Sequence, residues 1–177
     1  DLIKQNCQCF ENLDQAIEWI ESELIAEYGE CQNNSEDFSP LADQPLLKGL
    51  PNSDLATLQK NVTSTEYESG SKIIQLNEKA DGIYFLRSGK VSVMVGDGIY
   101  VSGLDAGTCF GELALIAPDA TRTANIIADT KVFCSFLSIK AYNEISLVNP
   151  SFSELLLRNL GLILFERLKQ SNSKIIA

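Results

Sequence analysis

Residues 110–124 read FGELALIAPDATRTA, a glycine–glutamate pair at the head of a short apolar run that returns through a polar loop to Arg122, Thr123 and Ala124. Gly111 permits backbone conformations that a Cβ forbids, and Glu112, Leu113, Ala114 and Leu115 form helix readily, so the segment is expected to be a tight turn entering a short helix. The first N–H groups of such a turn have no partner inside it, and together with the positive end of the helix dipole they suit an anion such as phosphate. Arg122 offers a planar, bidentate fork to the same anion. Glu112 repels phosphate but accepts hydrogen bonds from a sugar hydroxyl beside it. Backbone amides, an arginine and a sugar-binding carboxylate together describe a nucleotide.

Around this stretch, from Thr65 to Leu137, short apolar runs recur between turn signals: KIIQL, GIYFLRS, KVSVMV, IYVSGL, TANIIA and KVFCSFL. The dipeptides Ser88-Gly89 and Asp97-Gly98 stand between pairs of runs at hairpin spacing. A pitch of roughly 8 to 12 residues predicts an α+β, mainly β fold: an eight-stranded antiparallel jelly-roll barrel with flanking N- and C-terminal helices. Residues 1–28 include an amphipathic helix, with Leu13, Ala16, Ile17, Ile20, Leu24 and Tyr28 at three- and four-residue spacing, capped by Asn12 and ended by Gly29. It is expected to be the tail of an upstream domain or a helix docked on the main one, joined by a polar linker, 29–45, to a domain spanning 46–177. In that domain LLKGLPNSDLATLQKNV predicts a helix capped by Ser53, SIKAYNEISLV one capped by Ser138, and Pro150 a break. The closing SFSELLLRNLGLILFERLKQ is so rich in Leu and Ile that more than one face must be covered.

The 177 residues, 45% hydrophobic, suffice for one packed domain and an appendage. No run approaches about 18 consecutive apolar residues, so no membrane insertion is expected. A net charge of -10 repels nucleic acid and anionic lipid. The five cysteines, Cys7, Cys9, Cys31, Cys109 and Cys134, are odd in number and scattered, which favours reduced thiols and a cytoplasmic location. With no histidine in the chain, the commonest general base, the Ser-His and Cys-His pairs and mixed zinc sites are absent. A binding module is expected rather than an enzyme, with no metal and no cofactor beyond its ligand.

The cassette FGELALI followed by R-T-A, the early strands ESGSKIIQLNEKADGIYFLRSGKVSVMV and the closing NLGLILFERL resemble a cyclic nucleotide-binding domain from about Leu46 to Gln170. Such domains occur in bacterial catabolite-activator proteins, protein kinase A regulatory subunits and cyclic-nucleotide-gated channels. The resemblance implies that the ligand is cAMP or cGMP, with Glu112 on the ribose 2′-hydroxyl and Arg122 on the cyclic phosphate. Gly111 forms the turn, the amides of Leu113 and Ala114 and the Thr123 hydroxyl complete the phosphate shell, and Thr123 leaves both purines open. The C-terminal helix covers the base, with Leu160, Ile163, Leu164 or Leu168 as lid, and signals by moving; its remaining apolar residues would serve a homodimer. The chain departs from the family at Asn77, where glycine is common, and at Thr121, where proline precedes the arginine; Asp119 lies close enough to compete for Arg122. CQCFENLDQAIEWIESELI resembles the closing helix of a STAS domain, which implies an upstream effector in a longer protein. The alternative is a ligand-free dimerisation or docking module in which Glu112 and Arg122 form an internal ion pair.

Overall fold

The computed structural model of the chain describes residues 16, 17, 19 and 20, and then residues 38–96, 98–117 and 119–176. Residues 16, 17, 19 and 20 are helical, with Ile17 and Ile20 exposed. The rest of the expected N-terminal helix, its Asn12 and Gly29 ends, the STAS-like phrase, and Cys7, Cys9 and Cys31 lie outside the described residues, as does Asp97 of the second hairpin signal.

Eight strands follow: β1 (Thr63–Tyr67), β2 (Lys72–Ile74), β3 (Gly82–Ser88), β4 (Lys90–Val95), β5 (Ile99–Asp105), β6 (Cys109–Phe110), β7 (Asn125–Ala128) and β8 (Val132–Ser138). They form two four-stranded antiparallel sheets, ordered β1-β8-β3-β6 and β2-β7-β4-β5, which is the expected jelly-roll arrangement as two separate ladders rather than one closed barrel. β4 and β5 pair as the hairpin foreseen, Val95 opposite Ile99. Ser88-Gly89 does not close a hairpin. β3 and β4 belong to different sheets, and Gly89 turns the chain from one to the other with φ +86°, at a point where a Cβ would stand 2.3 Å from the Lys131 carbonyl oxygen. Two strands escaped the apolar runs: β1, a polar edge strand, TSTEY, and β6, only two residues long.

Side-chain alternation explains the layers. Leu86, Val132 and Cys134 of the first sheet meet Ile74, Val91, Ile126 and Ala128 of the second in one apolar cluster between the sheets. Ile83, Phe85, Cys109 and Leu137 point the other way, into a second cluster roofed by helices. The roof comprises α1 (Asn52–Asn61), α2 (Ile139–Val148) and α3 (Pro150–Ile176), with 3-10 turns at Leu41–Asp43 and Pro45–Leu47. Phe85, Phe152, Leu46, Leu47, Leu156 and Leu160 are fully buried there; each such side chain is worth roughly 1.5–3 kcal/mol relative to exposure. Leu160 is therefore core, not lid.

The caps are partly as expected. Ser138 Oγ accepts from the Ala141 amide at the start of α2. α1 instead begins at Asn52 after Pro51, whose carbonyl takes the amides of Asp54 and Leu55, so Ser53 lies inside the first turn and donates to Asp54. α2 and α3 break at Asn149-Pro150, and the Asn149 side-chain Nδ2 donates to Asp54 Oδ2 of α1, tying the break to it.

Candidate functional site

The stretch 110–124 lies where the two sheets, the loop before β7 and α3 meet. Gly111 has φ +73°, the left-handed region that side chains disfavour, and turns the chain off β6 into a single 3-10 turn, Glu112–Leu115. This is shorter than the helix expected from the four good formers, so the dipole contributes little. The Ala114 amide turns back onto the Gly111 carbonyl at 3.3 Å, which takes it out of the donor set expected for an anion. The amides of Glu112 and Leu113 have no hydrogen-bond partner among the described residues.

Arg122 is 6% exposed. Its main chain is locked by the turn at 77–79: the Arg122 amide donates to the Glu78 carbonyl at 2.7 Å, and the Asn77 amide donates to the Arg122 carbonyl at 2.9 Å. Asn77 has φ +69°, the conformation that glycine usually supplies and that asparagine tolerates best among the others. Thr121, in the place of the expected proline, bridges to Lys79, so the loop is pinned without it. The guanidinium donates to Gly111 O at 3.1 Å, Gly82 O at 2.9 Å and Asp81 Oδ1 at 2.6 Å. The competing carboxylate is thus Asp81, not Asp119. Three of five N–H groups are used, which leaves two for a ligand.

Glu112 is also 6% exposed and does not pair with Arg122. Its Oε1 accepts from Arg167 Nη1 of α3 at 2.7 Å, and Arg167 Nη2 reaches the Cys109 carbonyl at 3.4 Å. Burial, and secondarily the Glu112 charge, push the Cys109 thiol up to about 12, with Arg167 opposing. The two carboxylates and two arginines balance to zero before any ligand enters.

Glu112, Arg122 and Arg167 line a cavity of about 610 Å³, within the range of small-molecule sites. Its apolar lining comes from Ile74, Val93, Val101, Leu104, Phe110 and Ile126, and its polar lining from Glu112, Arg122, Thr123 and Arg167. Gly111, Leu113 and Ala114 also border it, so the structure brings all six expected site residues to one place. Of the expected lid residues, Leu160 is buried, Ile163 and Leu164 pack half-buried on the core, and Leu168 is exposed. The α3 residue at the cavity is Arg167, which lies one turn beyond Ile163 on the same helix face. Neither Arg167 nor Asp81 follows from the cassette, because they stand 55 and 41 residues from their partners.

Residues 64–147 match the family described as "Cyclic nucleotide-binding domain". The chain is 38% identical over 174 residues to Glutaminase 1 of Bradyrhizobium diazoefficiens, covering 97% of this chain and 27% of that protein. It is 35% identical over 105 residues to the cAMP-dependent protein kinase type II regulatory subunit of Drosophila melanogaster, covering 57% of this chain and 28% of that one. In fold it is similar to the catabolite activator protein of Thermus thermophilus, with TM-score 0.63 at 23% identity over 75% of this chain and 62% of that one. The regulatory domain of Toxoplasma gondii PKA with cAMP gives TM-score 0.59 at 25% identity over 68% and 47%. The chain spans about a quarter of the length of the glutaminases it matches. With the cassette and the two-sheet roll in place, residues 64–147 belong to the cyclic nucleotide-binding domain family.

Proposed function

We propose that the cavity binds cAMP or cGMP and that the domain is a sensor. One observation carries this: Arg122 and Glu112 are buried on either side of Gly111 at one cavity, and neither neutralises the other. An ion pair kept for stability alone would have joined them; each is held instead by a more exposed partner, Asp81 at 64% and Arg167 at 42% side-chain exposure, which solvent screens and a ligand can supplement. The cyclic phosphate takes an uncommitted N–H of Arg122 and the amides of Glu112 and Leu113. The ribose 2′-hydroxyl donates to Glu112, and the base lies on the apolar wall of β4 and β5. Because Arg167 shares Glu112, occupancy of the ribose site and the position of α3 are linked: a hydroxyl on Glu112 competes with or reorients that ion pair. A ligand moves such an equilibrium only by its differential affinity for the two α3 positions.

The matched relatives extend this to the whole protein. The chain is the regulatory part of a longer, glutamine-hydrolysing protein, since nearly all of it matches about a quarter of each of two glutaminases. Thermal denaturation tests the first step: a 1,000-fold excess over Kd stabilises by about 4 kcal/mol, and neither cAMP nor cGMP stabilising the chain at millimolar concentration refutes it. The second step requires the intact protein, whose glutaminase rate must respond to the nucleotide and cease to respond in Arg122→Ala.

A further inference from the structure

The segment ahead of the domain is fastened to both halves of the sensing apparatus. Asn159 of α3, 9% exposed, gives both amide hydrogens to main-chain carbonyls of this segment, Leu46 O at 2.9 Å and Lys48 O at 2.8 Å. On the other side Gln44, wholly buried, donates to Leu86 O at 3.1 Å. That same carbonyl accepts the Gly107 amide at 2.9 Å, and the Leu86 amide donates to Thr108 O at 2.8 Å, so Gln44 grips β3 where it holds the loop that opens the cassette. Arg87 adds a third point: its Nε donates to Ser39 O while the Ser39 amide donates to Arg87 O at 2.7 Å. Leu41, Leu46 and Leu47 are buried between these anchors.

Apolar packing alone lets a strap slide, but directional bonds from a buried amide do not. If α3 shifts by even an ångström or two, Asn159 must carry residues 46–48 with it or leave the buried Leu46 carbonyl and the part-buried Lys48 carbonyl without its bonds. From these contacts we infer that residues 39–48 are the output strap of the domain, with Asn159 as the positioning residue that passes the state of α3 to the chain upstream. The inference rests on the proposed nucleotide site, and it assigns the direction in which the signal leaves.

Hydrogen exchange of the whole chain, with and without saturating cAMP or cGMP, tests it. The amides of Leu47, Lys48 and Leu50, which close the strap's own turns, are the reporters. In the wild type, nucleotide protects both the cassette, 109–124, and the strap, the latter by about tenfold, the scale set by two ordinary hydrogen bonds. In Asn159→Leu, which keeps the apolar packing, the cassette remains protected by nucleotide and the strap no longer responds. Cassette protection without a strap response in the wild type overturns the strap assignment and leaves the site intact; so does a strap response undiminished in Asn159→Leu. Absence of protection at the cassette itself overturns the nucleotide site and the strap together. The wild-type comparison decides the matter even if the variant does not fold.

Discussion

Replacing Gly111 by alanine separates backbone strain from damage to the arginine. A Cβ there suffers twice: φ is +73°, which costs a side-chain-bearing residue about 1–2 kcal/mol, and the new carbon stands 2.5 Å from Arg122 Nη1. The guanidinium must move. Since it holds Gly111 O, Gly82 O and Asp81, displacement weakens bonds of a buried charged group, each worth about 1.5–3 kcal/mol. The sum is about 3–5 kcal/mol. Gly70→Ala supplies the control, because Gly70 has φ +82° with nothing within 4 Å of its would-be Cβ, so only the strain of about 1–2 kcal/mol applies. Equilibrium urea denaturation measures both. Gly111→Ala must lose about 2 kcal/mol more than Gly70→Ala, and must also lose its stabilisation by nucleotide while Gly70→Ala keeps it. Equal losses in the two variants would refute the claim that Gly111 exists to let Arg122 approach the cassette.

Arg167→Leu leaves the Glu112 carboxylate buried without its partner and lowers stability by about 1–2 kcal/mol, below the 3–5 kcal/mol of a fully buried pair because Arg167 is 42% exposed. In a Glu112→Gln background the same change costs close to nothing, so a thermal-melt double-mutant cycle showing additivity contradicts the pair. The buried thiols of Cys109 and Cys134 are each pushed from 9.0 to about 12 by burial, so the folded chain holds their protons more tightly than the unfolded chain. Their contribution to stability is whole below about pH 9 and is lost as the pH rises toward 12; urea midpoints followed across this window should fall, and the fall should shrink in Cys109→Ala. A profile unchanged in that variant denies the thiol its part.

The cassette was legible because its chemistry is local: Gly111, Glu112 and Arg122 fall within a dozen residues, and glycine and charge are rare inside such apolar surroundings. The same holds for Asn77, whose left-handed backbone follows from the residue type, and for the Ser138 cap. What failed was non-local. Ser88-Gly89 has the composition of a hairpin turn, but composition does not say whether the next strand joins the same sheet; the contacts at Gly89 with Lys131 decide that. β1 carries no apolar alternation because it is an edge strand, and β6 is too short to show any period. The partners of the two site charges, Asp81 and Arg167, sit on other elements, and of the four residues expected as lid Leu160 proved to be core, with Ile163 and Leu164 packed against it, because α3 covers the sheet with one face before it reaches the cavity.

The central claim is that Arg122 and Glu112 await a cyclic nucleotide, and calorimetric titration of the chain with cAMP and with cGMP meets it most directly. The expected result is saturable binding of at least one nucleotide, one per chain, weakened at least about 100-fold in Arg122→Ala through loss of charge-assisted bonds to the phosphate. No heat with either nucleotide up to millimolar concentration, or binding undiminished in Arg122→Ala, contradicts it.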